Sequence, residues 1–526
     1  MNNRIYTVLA ALLASFAGVS DPVFAQIAIV EHHETILRSL EQFPPGPTGS
    51  IGSWASAVTS LGDLDGEDGS AAALVVGRHR VPFGSPTEET GIAYVVFLDE
   101  FDQIIPEMIQ PIHYPESPKG DRFGQSCGAI GDIDGDGVTD VGIGAPAADD
   151  GGANAGALWI FLLYPNGTVK AHHKISANTD LPGLIGTEDA FATSVAYLGI
   201  LQSPYGPRPA IAVGEPNDDD GGFNTGAVWI LFLDPDGSVA HEQKINTVVG
   251  GFEGSLSAND KFGFAVSALG DLDGDGVVDM AVGAPRDDHD SSNIDADFGA
   301  IWVLFMNANG TVREEARVII DGIRIFAEFG DDIDVLGPLD PLHPERVTLA
   351  VGTPERNTNL ASVWLVEVDP FGSLVRETQI GPELDGYDDF EGFGITLASM
   401  GDLDGNGFPE IAVGDPGSDV AGHNYGALHI LHLAAVNLDT DGDGVNDVDD
   451  ECNDSDLSPT IVIDGEDTGV SNELLDDGCT ISDLIAELLA QDSSTNVIVQ
   501  FLVDLKGDGI INGQEMGAIL QSLNSP

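Results

Sequence analysis

Short apolar runs, separated by clusters of Gly and Asp, recur along the chain. The best-preserved copy reads FGQSCGAIGD from Phe123, VGIGAP from Val141, GALWIFLL from Gly156 and TVKAHHKI from Thr168. Runs of this length that alternate between apolar and polar positions and end at turn residues are typical of strands, not helices. The Asn166-Gly167 pair before the last run supplies the positive φ angles that a tight hairpin needs. The pattern therefore predicts four-stranded antiparallel units.

The unit occurs six times. Its marker is the glycine that closes the first run, found at Gly62, Gly131, Gly199, Gly270, Gly337 and Gly401. Successive markers lie 69, 68, 71, 67 and 64 residues apart, and a period this steady indicates stacked structural units. Four-stranded units that repeat radially form a β-propeller. The sequence predicts an all-β propeller with six blades, and seven blades is the alternative.

The two ends of the repeated region complement each other. The sixth unit stops after its third run, GALHILHL, which spans Gly426 to Leu433. The segment IAIVEHHETI, which begins at Ile27, resembles the fourth runs VKAHHKI and VAHEQKI of other units. We expect this N-terminal segment to pair into the last blade and close the ring, because closure covers two exposed sheet edges at once.

Acidic residues follow the marker glycine at alternate positions in three units. Alternate residues of a tight loop can converge on one Ca²⁺, which binds about six to eight oxygens at about 2.3–2.6 Å. The alternative is a polar hairpin that binds no cation, but its four negative charges would then repel one another. The predicted ligands are Asp132, Asp134, Asp136, the Val138 carbonyl and Asp140; Asp271, Asp273, Asp275, the Val277 carbonyl and Asp279; and Asp402, Asp404, Asn406, the Phe408 carbonyl and Glu410. Mg²⁺ is the alternative, less suited because it retains its water.

The other three units depart from this ligand pattern. In the first unit Asp63 and Asp65 fit, with Glu67 or Asp68, but Ala71 stands where the closing carboxylate belongs. The third and fifth units read ILQSPYGPRPA and PLDPLHPERVT at this place. We expect those two blades to hold their shape by packing, with prolines stiffening the loop.

The charge balance narrows the classes of partner. Lys and Arg total 19 against 87 Asp and Glu, a formal net charge of −68, while 42% of the residues are apolar. The apolar fraction is typical of a folded protein. The charge excludes nucleic acid and anionic membranes as natural partners and favours association with cations.

The first 25 residues have the pattern of a secretory signal. Arg4 provides a positive start, IYTVLAALLASFAGV an apolar run, and VFA a small-residue cleavage site before Gln26. A membrane anchor is the alternative, but the run is short and a breaking SDP follows it. We expect a mature protein that begins near Gln26, lacks a membrane span and is secreted or held at the cell surface.

Three pairs of motifs carry a family resemblance. They are Phe123-Gly124 with Gly144-Ala145-Pro146, Phe262-Gly263 with Gly283-Ala284-Pro285, and Phe393-Gly394 with Gly414-Asp415-Pro416. With the acidic loops between them, they resemble the FG-GAP repeat of integrin α-chain heads over residues 26–436, and secreted bacterial proteins with this repeat are the closer comparison. The resemblance implies a propeller with calcium held in hairpin loops on one face. Integrin heads have seven blades, whereas six units are counted here.

The segment after the repeats divides into two parts. Residues 437–458 form an acidic linker that resembles a thrombospondin type 3 calcium repeat, with ligands at Asp439, Asp441, Asp443, Val445 and Asp447. Residues 459–526 are predicted to form a small helical module that resembles half of a dockerin. Its EF-hand-like loop has ligands at Asp504, Asp508, Ile510, Asn512 and Glu515, although Lys506 replaces an expected acceptor. A cohesin-like partner is a minor alternative for this module.

The cysteines and histidines give little indication of a catalytic or metal site. Cys452 and Cys479 could pair in an oxidising compartment, and Cys127 is predicted to be a small buried residue. His32, His33, His172 and His173 occupy matching positions of the repeat, which favours packing or surface roles over a metal cluster. Trp159, Trp229, Trp302 and Trp364 also share one repeat position and are predicted to form core layers.

Binding is the favoured function, because the chain shows no Ser-His-Asp or Cys-His set with recognisable surroundings. The leading interpretation is a secreted, calcium-stabilised propeller that binds an extracellular protein or glycan at the cell surface, with no catalytic residues. One alternative is a polysaccharide lyase or hydrolase, whose acidic pair could not be singled out among so many carboxylates. Another is a purely structural surface protein.

Overall fold

The computed structural model describes residues 28–37, 54–64, 72–79, 91–99, 103–113, 120–289, 296–340, 343–354, 361–381, 392–418, 426–435, 460–463 and 466–471. The chain divides into two compact units. One comprises Ala28–Ala435, and the other comprises Met1–Ile27 with Val436–Pro526. None of the described residues forms a helix of the length and hydropathy that crossing a membrane requires.

Residues 28–435 form six four-stranded antiparallel sheets, each the blade of a propeller. The first blade contains β2 (Ala57–Gly62), β3 (Ala73–Arg78), β4 (Ile92–Phe97) and β5 (Gln110–His113). The second contains β6 (Ser126–Gly131), β7 (Asp140–Ala145), β8 (Ala157–Leu163) and β9 (Val169–Ser176). The third contains β10 (Val195–Ser203), β11 (Gly206–Glu215), β12 (Ala227–Leu233) and β13 (Val239–Ile245). A short 3₁₀ turn, Pro106–Met108, precedes β5.

The remaining blades follow the same order. The fourth contains β14 (Val266–Gly270), β15 (Asp279–Ala284), β16 (Ala300–Met306) and β17 (Val312–Val318). The fifth contains β18 (Ile333–Gly337), β19 (Val347–Thr353), β20 (Ser362–Val368) and β21 (Leu374–Ile380). The sixth contains β22 (Thr396–Ser399), β23 (Ile411–Asp415), β24 (Ala427–Ala435) and β1 (Ala28–Leu37). The predicted all-β architecture with six blades is confirmed.

The N-terminal strand completes the sixth blade as the sequence predicts. β1 pairs antiparallel with β24, from Ala28 opposite Ala435 to Leu37 opposite Ala427, with a register shift between Val30 and His32. The sixth sheet therefore takes three strands from one end of the repeated region and one from the other. This pairing closes the ring and leaves β24 without an open edge.

The marker glycines and hairpin glycines both take positive φ angles. All six markers, Gly62, Gly131, Gly199, Gly270, Gly337 and Gly401, have φ between +67° and +83°. In the β8–β9 hairpin only Gly167 has positive φ, at +75°, whereas Asn166 does not. A register shift follows at Leu162 and Leu163, so the hairpin is a type I turn with a glycine bulge. The expectation of positive φ at both residues was wrong.

Each seam between neighbouring blades has its own apolar cluster. The aromatic residue of the Phe-Gly motif is almost fully buried in every unit: Trp54, Phe123, Phe191, Phe262, Phe329 and Phe393. Phe191 also forms a parallel bridge with Gly156 of the preceding blade, and a Cβ added at Gly156 would lie 2.2 Å from the Phe191 carbonyl oxygen. The motif therefore joins one blade to the next, and the glycine is needed for the close approach.

Three sequence expectations need adjustment. Trp159, Trp229 and Trp302 are buried as predicted, but Trp364 is only partly buried. Cys127 is likewise half-buried, not buried. In the C-terminal unit the described residues form a hairpin of β25 (Thr460–Ile463) and β26 (Glu466–Ser471), which the sequence analysis did not predict. The predicted helices of that unit, Cys452 and Cys479 lie outside the described residues.

Candidate metal loops and a buried acidic cluster

The acidic loop of the second blade is organised by its own carboxylates. Asp132 accepts hydrogen bonds from the backbone N–H groups of Gly135 at 2.7 Å, Asp136 at 3.0 Å and Gly137 at 2.8 Å. Gly135 and Gly137 have φ near +80° and +91°, which lets the chain turn tightly around the carboxylate. One oxygen from each of Asp132, Asp134 and Asp136 lies within 4.8 Å of the others. The loop thus gathers three of the predicted ligands.

The closing residue, Asp140, has a different environment from the rest of the loop. It is fully buried, and its two oxygens accept hydrogen bonds from the backbone N–H groups of Ile133 and Leu163, both at 2.9 Å. Burial raises the pKa of Asp140 to about 6, although these two bonds oppose the shift. Asp140 therefore ties the loop to β8 in addition to facing the other carboxylates.

The fourth blade repeats this arrangement. Asp279 is fully buried and accepts hydrogen bonds from the N–H groups of Leu272 at 3.0 Å and Met306 at 2.9 Å. Burial raises its pKa to about 6. One oxygen from each of Asp271, Asp273 and Asp279 lies within 4.8 Å of the others. The two loops are alike in sequence and in the hydrogen bonds of the closing carboxylate, whereas the third member of the close cluster is Asp136 in one and Asp279 in the other.

A cationic side chain of the fourth strand faces each of these two loops. Lys170 Nζ lies 2.5 Å from Asp134 Oδ2 and 2.7 Å from Asp136 Oδ2. Arg313, one position into β17 as Lys170 is into β9, pairs with Asp273 and Asp275. The hydrogen bond from Lys170 is the main reason that the pKa of Asp136 lies below its ordinary value. These pairs show that the loops concentrate enough negative charge to recruit a cation.

The sixth-blade loop shares the turn and one of the two hydrogen bonds of the closing carboxylate. Asp402 accepts hydrogen bonds from Gly405 N–H at 2.8 Å and Gly407 N–H at 3.0 Å, as Asp132 does with its loop. Glu410 accepts one from Leu403 N–H at 2.6 Å. Its other neighbours are Asp404 and His432, and one ligand atom from each of the three residues lies within 4.8 Å of the others. The sequence analysis did not connect His432 with this loop.

The residues of these loops fit a divalent cation. Hard oxygen donors at short mutual distances, in a turn fixed by backbone hydrogen bonds, are what Ca²⁺ binds. In the second and fourth loops the acceptors are carboxylates that the backbone already orients. When bound, a cation would supply positive charge that offsets their mutual repulsion.

The remaining predicted ligands are only partly covered by the structure. Asp63 is exposed just beyond β2. Asp65, Glu67 and Asp68 of the same loop lie outside the described residues, as do the C-terminal sets at 439–447 and 504–515. In the third blade, β10 and β11 extend into a hairpin where the second, fourth and sixth blades have an acidic loop, in agreement with the missing ligand pattern.

The opposite end of the third blade holds a buried acidic cluster that the sequence analysis missed. Asp189, Glu215 and Asp218 are all buried, with one oxygen of each within 4.8 Å of the others. Burial raises the pKa of Glu215 to about 8. The exchange of Ala for Glu in Gly214-Glu215-Pro216, where the second and fourth blades have Gly-Ala-Pro, was the available signal.

A lysine ammonium group already occupies the position that a cation would take in this cluster. Lys244 Nζ pairs with Asp218 and lies 3.1 Å from Glu215 Oε2. It also lies 5.2 Å from the centre of the Trp229 ring, whose Nε1–H donates to Glu215 at 2.8 Å. Lys174 over Trp159 and Arg317 over Trp302 repeat the stack in neighbouring blades. The cluster is therefore a structural ion-pair network, not an open metal site.

Comparison with known proteins agrees with this architecture. The model of the FG-GAP repeat matches residues 128–161 and 262–304, which lie in the two blades with complete acidic loops. The β-propeller of residues 28–435 thus contains FG-GAP repeats and is similar to the integrin alpha chains. Integrin alpha-4 of Xenopus laevis is 29% identical over 358 residues, 66% of this chain and 30% of its own length.

Two invertebrate relatives give similar matches over shorter regions. Integrin alpha-PS5 of Drosophila melanogaster is 30% identical over 176 residues, 33% of this chain and 17% of its own length. Integrin alpha ina-1 of Caenorhabditis elegans is 27% identical over 168 residues, 30% of this chain and 14% of its own length. The match thus spans less than a third of the length of each of these curated relatives.

Proposed function

We propose that this protein is a secreted, calcium-binding β-propeller that mediates adhesion by binding a protein or glycan at the cell surface. The similarity to integrin alpha chains across most of the propeller supports a binding role. The observation that carries the proposal is a pair of exposed phenylalanines, Phe223 and Phe326, at equivalent junctions on consecutive seams of the ring. Their side chains are 63% and 54% exposed.

Both phenylalanines lie where a loop within one blade meets the connection to the next blade. Phe223 precedes β12, and its carbonyl accepts a hydrogen bond from Asn259 N–H at 2.9 Å. Phe326 precedes β18, and its N–H donates to the Ala296 carbonyl at 2.8 Å. The two residues come from opposite sides of their junctions, and large apolar side chains that a fold leaves in water at neighbouring junctions are typical of an interaction surface.

The backbone at Phe326 strengthens this interpretation. Its φ is +63°, and the corresponding residues Glu188 and Asn259 have φ of +68° and +71°. Positive φ is costly for a bulky side chain, so a Gly or Asn would fit this turn better. A phenylalanine that is both strained and exposed supports a role in ligand contact at this junction.

Calcium binding and secretion complete the proposal. The loops at 132–140, 271–279 and 402–410 present oriented acceptors, and Ca²⁺ there would brace the hairpins that carry them. Asp63 with Asp65, and the C-terminal sets at 439–447 and 504–515, are proposed as further sites. The N-terminal 25 residues are proposed as the secretory signal that brings the protein to a calcium-rich environment.

A binding screen with matched variants tests the proposal. The purified chain in calcium is applied to arrays of glycans and of extracellular proteins. Phe223→Ser and Phe326→Ser should each weaken retention on the recognised ligand by about tenfold, the effect of losing one aromatic anchor. Tyr205→Ser and Phe371→Ser serve as controls, because these residues are 71% and 79% exposed but lie on hairpins at the acidic-loop end of the blades.

Two outcomes would contradict the binding role. Equal loss of retention in the Tyr205 and Phe371 variants would show that the proposed junction is not the binding surface. Cleavage of a polysaccharide without retention would favour the enzyme alternative.

A further inference from the structure

The closing carboxylate of the sixth-blade loop differs from those of the second and fourth blades. Asp140 and Asp279 use both oxygens to accept backbone N–H groups. Glu410, one methylene longer, uses Oε2 for Leu403 N–H at 2.6 Å. Among the described residues its Oε1 is buried and accepts no hydrogen bond, although Glu410 is fully buried. A buried carboxylate oxygen without a donor is costly unless a cation completes it.

A histidine faces this open oxygen. His432 on β24 places Nδ1 at 3.4 Å from Glu410 Oε1 and 3.9 Å from Asp404 Oδ2. The residue is only 9% exposed. The corresponding positions on β4, β8, β12 and β16 hold the buried apolar residues Phe97, Leu162, Phe232 and Phe305, whereas β20 holds the buried Glu367. In four of the other five blades an apolar side chain fills this position, so the imidazole is a specific feature of the sixth blade.

We propose that Asp404, Glu410 and His432 form a transition-metal site, suited to Zn²⁺, in the sixth blade. Imidazole nitrogen is a preferred ligand of Zn²⁺ and similar ions, whereas Ca²⁺ prefers oxygen donors alone. Bonds of about 2.0–2.2 Å in a tetrahedral site separate the ligand atoms by about 3.3–3.6 Å, and the 3.4 Å between His432 Nδ1 and Glu410 Oε1 lies within this range. The Asp404 side chain is 41% exposed, which leaves space for a water ligand.

This inference changes the expected metal in one blade and leaves the calcium proposal for the second and fourth blades unaltered. Those two loops have Leu162 and Phe305 where the sixth has His432, so they offer oxygen donors only. The sixth blade also contains the closing strand β1. A metal bound there would join the β22–β23 loop to β24, the strand against which β1 pairs.

Binding of Co²⁺ to the full chain tests the site, because Co²⁺ reports nitrogen and oxygen ligation through its visible absorption. The wild-type chain should bind Co²⁺ with bands that Zn²⁺ displaces and Ca²⁺ does not. His432→Leu should weaken this binding at least about tenfold, through loss of one ligand. Leucine is the residue that the second blade carries at this position, so the variant should fold, and circular dichroism with the calcium response of the other loops verifies this.

Two further variants separate the site from general metal adsorption. His343→Leu removes an imidazole that lies 3.1 Å from an exposed carboxylate, Glu345, and should leave Co²⁺ binding unchanged. Glu410→Asp restores the closing residue of the other loops and should also weaken Co²⁺ binding. Co²⁺ affinity that is unaffected by His432→Leu, or equally reduced by His343→Leu, would overturn the inference. A chain that binds Co²⁺ through His432 but does not respond to Ca²⁺ would instead overturn the calcium proposal alone.

Discussion

Asp140 Oδ1 accepts the backbone N–H of Leu163 at 2.9 Å and so fastens the end of an acidic loop to the next strand of the same blade. The other oxygen accepts Ile133 N–H from within the loop. Asp279 makes the same two bonds in the fourth blade. The last carboxylate of these two loops is thus a structural anchor. Its oxygens are already oriented by backbone hydrogen bonds before any cation binds.

Removal of this anchor should destabilise the propeller even without metal. Asp140→Ala leaves the N–H groups of Ile133 and Leu163 buried without an acceptor, and we expect a loss of about 2–4 kcal/mol in the free energy of unfolding. Urea unfolding in chelator measures it. Asp136→Asn changes an exposed carboxylate of the same loop and should shift the free energy of unfolding by less than about 1 kcal/mol. Equal effects would show that Asp140 is not an anchor.

Chelation of calcium should lower the melting temperature of the wild-type chain. When the free calcium concentration is 100 times the Kd of a site, binding at that site contributes about 2.7 kcal/mol to the stability of the folded state. Asp134→Ala and Asp273→Ala should each reproduce part of this loss in calcium and respond less to chelator. Asp236→Ala, in a hairpin of the third blade, should respond to chelator like the wild type. A melting curve that is indifferent to chelator would contradict the metal assignment.

Lys244 should be required for the stability of the third blade. Its ammonium group lies beside the buried side chains of Glu215 and Asp218, and Lys244→Met would leave the buried charge of Asp218 without a cation. We expect a loss of about 3–5 kcal/mol in the free energy of unfolding at neutral pH. Lys174→Met is the matched control, because Lys174 stacks on Trp159 but pairs with the more exposed Asp150. The double variant Lys244→Met, Asp218→Asn should recover part of the loss.

Because of Asp332, the free energy of unfolding of the wild-type chain should fall as pH rises from about 4 to about 8. Burial raises its pKa to about 8, with the charge of Asp334 as a further cause, although its bond from Leu397 N–H at 2.7 Å opposes the shift. The folded-state pKa lies above the unfolded-state pKa of about 3.9. The contribution of Asp332 to the free energy of unfolding is therefore complete below about pH 3.9 and is lost as pH rises through 8.

Asp332→Asn tests this pH dependence. The amide keeps an acceptor for Leu397 and cannot ionise, so the variant should gain roughly 2–5 kcal/mol over the wild type between pH 5 and pH 9. Glu345→Gln is the control, because the pKa of the exposed Glu345 is lowered and does not fall within this range. Parallel pH profiles for Asp332→Asn and wild type, in urea unfolding, would contradict the assignment.

Deletion of β1 should open the ring. Without Ala28–Leu37 the edge of β24 is unpaired, so we expect loss of cooperative unfolding and a tendency to associate. A synthetic peptide of residues 26–38, added in excess, should restore cooperative unfolding. Deletion of residues 1–25 alone should have no effect on the melting curve. Unchanged melting without β1 would show that the ring does not depend on this closure.

The strands, the number of blades and the closing strand were all predictable from the sequence. Each unit carries its own local signals, from the alternation in FGQSCGAIGD to the glycine of the hairpin turn at Gly167, and a repeat gives the same signal six times. Pairing within a blade follows chain order because short hairpins leave no alternative. The segment that begins at Ile27 was recognisable as the missing fourth strand because it resembles the fourth runs of the other units.

The sequence by itself also predicts the loop carboxylates as metal ligands, because their spacing lies within nine residues. Only the tertiary structure decided what each carboxylate contacts. Asp189, Glu215 and Lys244 meet across a seam and a sheet although they are tens of residues apart, and Glu410 meets His432 through the register of β23 on β24. Such contacts depend on blade packing and strand register, which local patterns do not encode, so the chemistry that distinguishes one blade from another emerges only in the folded ring.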